Sequence, residues 1–214
     1  MIKTKKYGAL IVISGPSGSG KNTICDALLK RNDNYWLSIS CTSRAPRGEE
    51  KNSVNYYFLT REQFEDKIEN QELLEYAEYN GNYYGTPRDI IEEKRAQGNH
   101  VILEIEVQGA LKVKELVPDA IFIFLMPPSM DILKKRLENR GTETKEKVLA
   151  RFKTAYQEIN DMPKYNYVVV NDEVEKAVTK IESIITAEMC RVTRIEEVDL
   201  STTEEVLHES LMEE

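Results

Sequence analysis

The chain has 214 residues, of which 41% are hydrophobic and 31% charged, and its formal net charge at pH 7 is -8. This composition is typical of a globular domain, and the acidic balance argues against a nonspecific nucleic-acid binder, which needs a basic surface. No apolar run approaches membrane-spanning length and no two cysteines form a C-x-x-C pair, so we expect no membrane span, zinc site or disulfide framework. We predict one domain in the reducing environment of the cytoplasm.

The first predicted element is a strand over residues 9–14, ALIVIS, because this apolar run is rich in β-branched residues. Basic residues precede it, but it is too short to be the apolar segment of a signal peptide. A Gly-rich loop follows at residues 15–23, GPSGSGKNT, and apolar residues at helical spacing come next. A strand, a Gly-rich turn and a helix in this order are typical of a phosphate-binding loop.

This loop fits the pattern Gly-x-x-x-x-Gly-Lys-Ser/Thr at Gly15, Gly20 and Lys21, but Asn22 stands where a hydroxyl residue is usual. Glycines let backbone N–H groups curl around phosphate oxygens, and Lys21 adds a positive charge. The alternative is a tight strand–helix turn with a solvent-exposed lysine. The predicted ATP-binding residues of the loop are Gly15, Pro16, Ser17, Gly18, Ser19, Gly20, Lys21, Asn22 and Thr23.

Residues 37–98 differ from the rest because their short aromatic segments are separated by turn residues. They predict a small β-rich insertion with one helix near 61–70. Outside the insertion, the sequence predicts strands at 101–107, 120–126 and 167–170 and helices at 109–117, 129–139, about 143–160 and 173–188. Strands that alternate with helices imply a parallel sheet covered on both sides. The acidic stretch after Cys190 predicts a solvated tail with a weak helix at 201–212.

Several long segments occur together, in an order and spacing that closely resemble guanylate kinase: SCTSRAPRGEE, VNYYF, LLEYAEYNGNYYGTPR, ILEIEVQGA, LMPPS, LKKRLENRGTET and YNYVVVND. The resemblance covers about residues 8–188 and implies transfer of a phosphoryl group from ATP to GMP. It also implies an α/β fold, with a P-loop NTPase core, a small β-rich GMP-binding subdomain and a helical lid. The implied parts are a core at about 1–36, 99–128 and 156–190, a GMP-binding subdomain at about 37–98, a lid at about 129–155 and an acidic tail at 191–214.

The resemblance implies a binding role for each matched residue. The positions that match the family's GMP-binding set are Ser40, Arg44, Arg47, Tyr56, Glu75, Tyr84, Thr86 and Glu104. Glu75 suits guanine, since one carboxylate accepts hydrogen bonds from both N1–H and the exocyclic amine, and arginine forks suit phosphate oxygens. Asn171 matches a position near the adenine of ATP. The residues implied to act on the reacting phosphates are Lys21, Arg44, Arg136, Arg140 and Arg151.

Two acidic residues, Glu104 and Glu106, lie two apart in the predicted strand 101–107, so we expect them on one face. Glu106 stands where the family usually has Asp, near Mg²⁺ and the phosphates. The resemblance therefore implies Asn22 and Glu106 as protein contacts to Mg²⁺, which is held mostly through water and phosphates. We hypothesise that the longer side chain of Glu106 compensates for a metal shifted by Asn22.

The sequence thus predicts phosphorylation of GMP, and of dGMP, by ATP with Mg²⁺. We expect no nucleic-acid or membrane partner, and either a monomer or a homodimer. Two alternatives stay open. One is an inactive guanylate kinase-like domain that binds phosphorylated partner proteins, for which Asn22 and Glu106 would be signs of decay. The other is a phosphotransferase with a different acceptor, against which Glu75 argues.

Overall fold

The structure, a computed structural model, describes residues 2–4, 7–79, 81–138 and 145–198. Its strands are β1 (Ile2–Thr4), β2 (Leu10–Ser14), β3 (Tyr35–Leu37), β4 (Cys41–Thr42), β5 (Tyr57–Phe58), β6 (Leu73–Tyr79), β7 (Asn82–Pro87), β8 (His100–Glu104), β9 (Ile121–Met126), β10 (Tyr167–Val170) and β11 (Ile195–Val198). Its helices are α1 (Lys21–Arg31), α2 (Arg61–Glu69), α3 (Arg88–Ala96), α4 (Val107–Leu116), α5 (Met130–Glu138), α6 (Lys145–Ile159) and α7 (Val174–Met189).

The core is a five-stranded sheet with the order β10-β9-β2-β8-β3, and every neighbouring pair in it is parallel. Strand β2 is buried along its whole length, because helices α1 and α7 pack on one face of the sheet and α3 and α4 on the other. The predicted parallel sheet with helices on both sides is confirmed. The chain runs from β2 to β3 and from β8 to β9, and β3 and β9 lie on opposite sides of the β2–β8 pair. A crevice therefore forms at the carboxyl ends of β2 and β8, where such sheets bind ligands.

A second, four-stranded sheet has the order β5-β4-β7-β6 and lies within the predicted β-rich insertion. Its small core centres on Cys41, Phe64 and Leu73. Helix α2 supplies Phe64 and begins with a capping box, in which Thr60 and Gln63 satisfy each other's backbone N–H groups. Strand β6 also contacts α4 of the core, so this sheet is fixed beside the crevice.

The sequence prediction was wrong within the insertion and at the end of β8. We predicted one helix in residues 37–98, but α3 is a second one, which buries Ile91 against the core. Its pattern is weak because charged residues surround that single deeply buried apolar side chain. Strand β8 ends at Glu104 rather than at residue 107, and Val107 instead begins α4. The sequence pattern did not indicate this turn, because apolar residues stand on both sides of it.

The C-terminal segment begins differently from the predicted solvated tail. Strand β11 pairs antiparallel with β1, with Ile2 opposite Val198. Just before it, Arg194 Nη2 donates a hydrogen bond to the Asp119 carbonyl oxygen at 2.9 Å. The predicted helix at 201–212 lies outside the described residues. Among the helices that the structure does describe, none is long and apolar enough to cross a membrane.

Candidate active site

The Gly-rich loop between β2 and α1 curls at the carboxyl edge of the core sheet. Its glycines Gly15, Gly18 and Gly20 have φ values of 149°, 90° and 94°, which residues with a Cβ rarely adopt. A Cβ on Gly15 would also lie only 2.3 Å from the Leu125 carbonyl oxygen. Helix α1 begins after Gly20 without a side-chain cap, so its first N–H groups are available to an anion.

Lys21 is buried at the start of α1, with 7% of its surface exposed. Its Nζ donates a hydrogen bond to the Gly15 carbonyl oxygen at 2.7 Å and lies 3.8 Å from Glu106 Oε2. These two oxygens hold the ammonium group against the loop, so the alternative of a solvent-exposed lysine does not apply. Asn22 and Thr23 follow on the first turn of α1, and both are exposed.

Helices α5 and α6 place two of the predicted arginines against this loop. Arg136 donates hydrogen bonds to the carbonyl oxygens of Ser19 and Asn171 at 3.3 and 3.2 Å, and Arg151 Nη2 donates to Ser17 Oγ. Asn171 is itself buried and donates from Nδ2 to the Ser19 carbonyl oxygen at 2.8 Å. Asn171 therefore holds the backbone of the loop at Ser19. Arg140 lies outside the described residues.

Two buried polar atoms around the loop lack a hydrogen-bond partner among the described residues: Ser19 Oγ and Asn171 Oδ1. Buried polar groups are normally paired, because leaving one unpaired costs about 1–3 kcal/mol. Their clustering at one loop indicates a site built for a polar ligand.

The second sheet presents a buried carboxylate at Glu75. Thr86 faces it from β7 and donates a hydrogen bond from Oγ1 to Glu75 Oε1 at 2.7 Å. Burial raises the pKa of Glu75 above its ordinary value, although Thr86 and Lys112 oppose this effect. Helix α4 passes close to it at Gly109, where a Cβ would lie 3.0 Å from Glu75 Oε2. The site thus holds a shielded hydrogen-bond acceptor.

Arg44 is a buried cation in the loop that follows β4. Its guanidinium lies 5.4 Å from the centre of the Tyr56 ring, and Tyr84 packs edge-on against Tyr56. Hydrogen bonds to the Glu50 carboxylate raise the pKa of Arg44 above its ordinary value. By contrast, the side chain of Arg47 is exposed. We call Arg44, Arg47, Tyr56 and Tyr84 the arginine–tyrosine cluster, which can bind an anion.

The remaining predicted residues lie close to these groups. Ser40 precedes β4, and its carbonyl oxygen accepts a hydrogen bond from Tyr57 N at 2.9 Å. Glu104 ends β8, where burial raises its pKa and Lys21 opposes that effect. The prediction that Glu104 and Glu106 share one face of a strand was wrong, because Glu106 lies beyond the strand as the N-cap of α4.

The sequence model of the guanylate kinase family matches residues 7–188. The chain belongs to the guanylate kinase family. The guanylate kinase of Clostridium perfringens strain SM101 is 55% identical over 210 residues, which cover 98% of this chain and 97% of that protein. That of Clostridium acetobutylicum is 56% identical over 204 residues, covering 95% and 97%. The crystal structure of guanylate kinase from Anaplasma phagocytophilum has a TM-score of 0.74 at 36% identity and covers 90% of this chain and 92% of its own.

The predicted membership in the guanylate kinase family is therefore confirmed, and so is the predicted fold. Two acidic residues of this guanylate kinase-like site, Glu50 and Glu158, were not singled out from the sequence. Both lie in charged segments, where a solvated glutamate is the usual case. Only the folded chain brings Glu50 to Arg44 and Glu158 to the Gly-rich loop.

Glu158 lies on α6 beside the loop of this guanylate kinase family member. Burial raises its pKa to about 7, and Glu106 and Asp161 add to the effect, while Lys21 and the Ser17 N–H lower it. Its Oε2 has no hydrogen-bond partner among the described residues. An ionised carboxylate in this position is therefore unfavourable for folding near neutral pH.

Glu158→Gln should stabilise the fold at pH 8 and change its stability little at pH 5. A carboxyl with a folded-state pKa of about 7 holds its proton more tightly than in the unfolded chain, so stability falls as pH rises from about 5 to 7. Glutamine has no proton to lose and avoids this fall. Thermal unfolding at both pH values measures it, with Glu115→Gln, an exposed site on α4, as control. An equal change in Tm at both pH values would contradict the prediction.

Proposed function

We propose that this chain phosphorylates GMP and dGMP, using ATP and forming ADP with GDP or dGDP. The observation that carries the proposal is the buried Lys21 inside a phosphate-type loop, with Arg136 and Arg151 placed against that loop. Membership in the guanylate kinase family supports the same reaction.

On the ATP side, the chain's task is to place the phosphates and to neutralise charge, since phosphoryl transfer needs little covalent help. The backbone N–H groups of residues 15–23 and the Lys21 ammonium bind the ATP phosphates. Arg136 and Arg151 then stabilise the negative charge that spreads over the transferring group, and we assign Arg140 to the same task from its sequence match. Their present bonds to loop oxygens keep these guanidinium groups within reach.

On the GMP side, Glu75 accepts the N1–H and the exocyclic amine of guanine. Thr86 and Ser40 complete the contacts to the base, and Glu104 lies beside the bound nucleotide. The residues that hold the GMP phosphate are Arg44, Arg47, Tyr56 and Tyr84.

The chain needs no general base, because the accepting phosphate is already anionic near neutral pH. Closure over both nucleotides excludes water and suppresses wasteful hydrolysis of ATP.

The residues present fit Mg²⁺ held mainly by phosphates and water. Among the described residues there is no group of three His, Cys, Asp or Glu side chains that could hold a metal by themselves. Glu106 offers an exposed carboxylate 3.8 Å from Lys21 Nζ, and Asn22 offers an exposed amide oxygen next to Lys21. Mg²⁺ usually keeps several waters and needs few protein ligands. Asn22 and Glu106 would hold it, and when bound it would neutralise negative charge on the phosphates.

The alternative of an inactive domain that binds phosphorylated partners is less favoured. Lys21, Arg44 and Glu75 are all buried, and the highly similar relatives are guanylate kinases. A different acceptor is opposed by Glu75, because adenine, cytosine and uracil do not present the two adjacent N–H donors that guanine offers to one carboxylate. We also propose that the chain works as a monomer or a homodimer.

The test of this proposal is to separate the nucleotides formed from ATP and GMP by chromatography. We expect equal amounts of ADP and GDP with Mg²⁺, and neither product when the metal is removed with EDTA. ADP formed without GDP would mean that water is the acceptor, which contradicts the proposal.

A further inference from the structure

Glu50, to which the proposed function gives no role, holds the loop that carries both arginines of the arginine–tyrosine cluster. Its Oε2 and Oε1 accept hydrogen bonds from Nη1 and Nη2 of Arg44 at 2.9 and 3.0 Å. The same carboxylate accepts a hydrogen bond from the backbone N–H of Arg47 at 2.8 Å. These contacts lower the pKa of Glu50 below its ordinary value, so the carboxylate is ionised at neutral pH.

These bonds to Glu50 occupy one edge of the Arg44 guanidinium and leave its other edge for Tyr84 and a ligand. The edge formed by Nη1 and Nη2 faces Glu50, and Nη1 also donates to the Ala45 carbonyl oxygen at 2.6 Å. The remaining donors are the Nε–H and the outer hydrogen of Nη2, which lie side by side. Such a pair matches two oxygens of a phosphate.

The surroundings of Arg44 show which way the remaining edge can face. Arg44 is 8% exposed, and its guanidinium lies 5.4 and 5.8 Å from the ring centres of Tyr56 and Phe58. A side-chain hydrogen bond with Tyr84 also raises the pKa of Arg44, so the Tyr84 hydroxyl lies beside the guanidinium, where it can share in binding the same phosphate. With Glu50 holding one edge, the group has little freedom to rotate away from Tyr56 and Tyr84.

We propose that Glu50 is a positioning residue for the GMP phosphate. It remains bonded to Arg44 when GMP binds and turns the second edge of the guanidinium toward that phosphate. By holding the Arg47 backbone, it also fixes the loop around the same group. This inference rests on the proposed function, because it takes the phosphate of GMP as the ligand of Arg44.

The test is Glu50→Gln, which retains the shape of the side chain but turns one acceptor into an N–H donor that faces the guanidinium. We expect the KM for GMP to rise on the order of tenfold or more, as for other hydrogen bonds to charged groups, and the KM for ATP to stay unchanged. Affinity for guanosine, which lacks the phosphate, should also stay unchanged. Glu49→Gln is the matched control, since its neighbouring side chain is exposed.

A second comparison uses Arg44→Lys, because lysine has no second edge to orient. In that background, Glu50→Gln should raise the KM for GMP much less than it does in the wild-type chain. Equal effects in both backgrounds would overturn the proposal.

Other results would also overturn it. A lower KM for GMP would mean that Glu50 competes with the phosphate, and equal loss of GMP and guanosine affinity would mean that it only holds the loop's fold. A wild-type chain without GMP affinity would instead overturn the proposed function itself, so the two failures are distinguishable.

Discussion

Replacing Lys21 with methionine should lower kcat for GMP phosphorylation by about 10³-fold while leaving GMP affinity unchanged. Lys21 is buried, and its Nζ bonds the Gly15 carbonyl oxygen at 2.7 Å, so its charge is fixed beside the phosphate loop. In such a water-poor place, a fixed charge stabilises developing negative charge far better than it would in bulk water. Methionine keeps much of the volume and removes only the charge. Steady-state kinetics and GMP titration measure the two quantities.

The matched control for this prediction is Lys30→Met. Lys30 lies on the same helix, α1, but in its exposed last turn, and the substitution should leave kcat within about twofold of wild type because surface changes usually have small effects. If Lys21→Met kept more than about a tenth of wild-type kcat, the phosphate loop would not have its assigned role.

Replacing Glu75 with glutamine should reduce kcat/KM for GMP by about 10²–10³-fold, because the amide offers one acceptor where guanine presents two donors. The same change should raise stability at pH 8. Burial raises the pKa of Glu75, so ionising this carboxyl above its folded-state pKa opposes folding, and glutamine removes that cost. Thr86 Oγ1 can still donate to the retained oxygen. Acceptor kinetics and thermal unfolding measure both effects.

Glu78→Gln is the control on the same strand, β6, where the side chain is exposed. It should change neither GMP turnover nor the pH dependence of Tm. The assignment of Glu75 to guanine would be contradicted by a Glu75→Gln variant that phosphorylates GMP as efficiently as the wild type.

The parts of the site that sequence predicted well are those with local signals. The Gly-rich turn, its strand and Lys21 are adjacent in the chain, so glycine conformation and apolar pattern were enough to place them. Strand β3 was missed because a three-residue strand carries almost no periodicity, and the position of Glu106 was misjudged because β8 turns into α4 within two residues.

Other parts depend on tertiary structure and could not be read from local pattern. Arg136 and Arg151 lie on helices far along the chain from the loop, and only the family resemblance connected them with it. The pairing of Glu50 with Arg44 and the raised pKa of Glu158 follow from packing between elements. A solvated glutamate and a buried one look alike in sequence.

The unusual Asn22 does not alter the backbone conformation of the Gly-rich loop. Gly15, Gly18 and Gly20 keep the positive φ values of the loop, and Lys21 keeps its bond to Gly15, while Asn22 is exposed on the first turn of α1. Any effect of Asn22 should therefore fall on metal binding rather than on the shape of the loop.

The most direct test of the central claim is the rate of ATP turnover with Mg²⁺ when GMP, dGMP, AMP, CMP and UMP are offered in turn. The account predicts turnover with GMP and dGMP at least about 10²-fold above the other three, because only guanine satisfies the Glu75 carboxylate. Equal or faster turnover with AMP, or a folded chain that binds GMP and transfers no phosphoryl group to any acceptor, would contradict it.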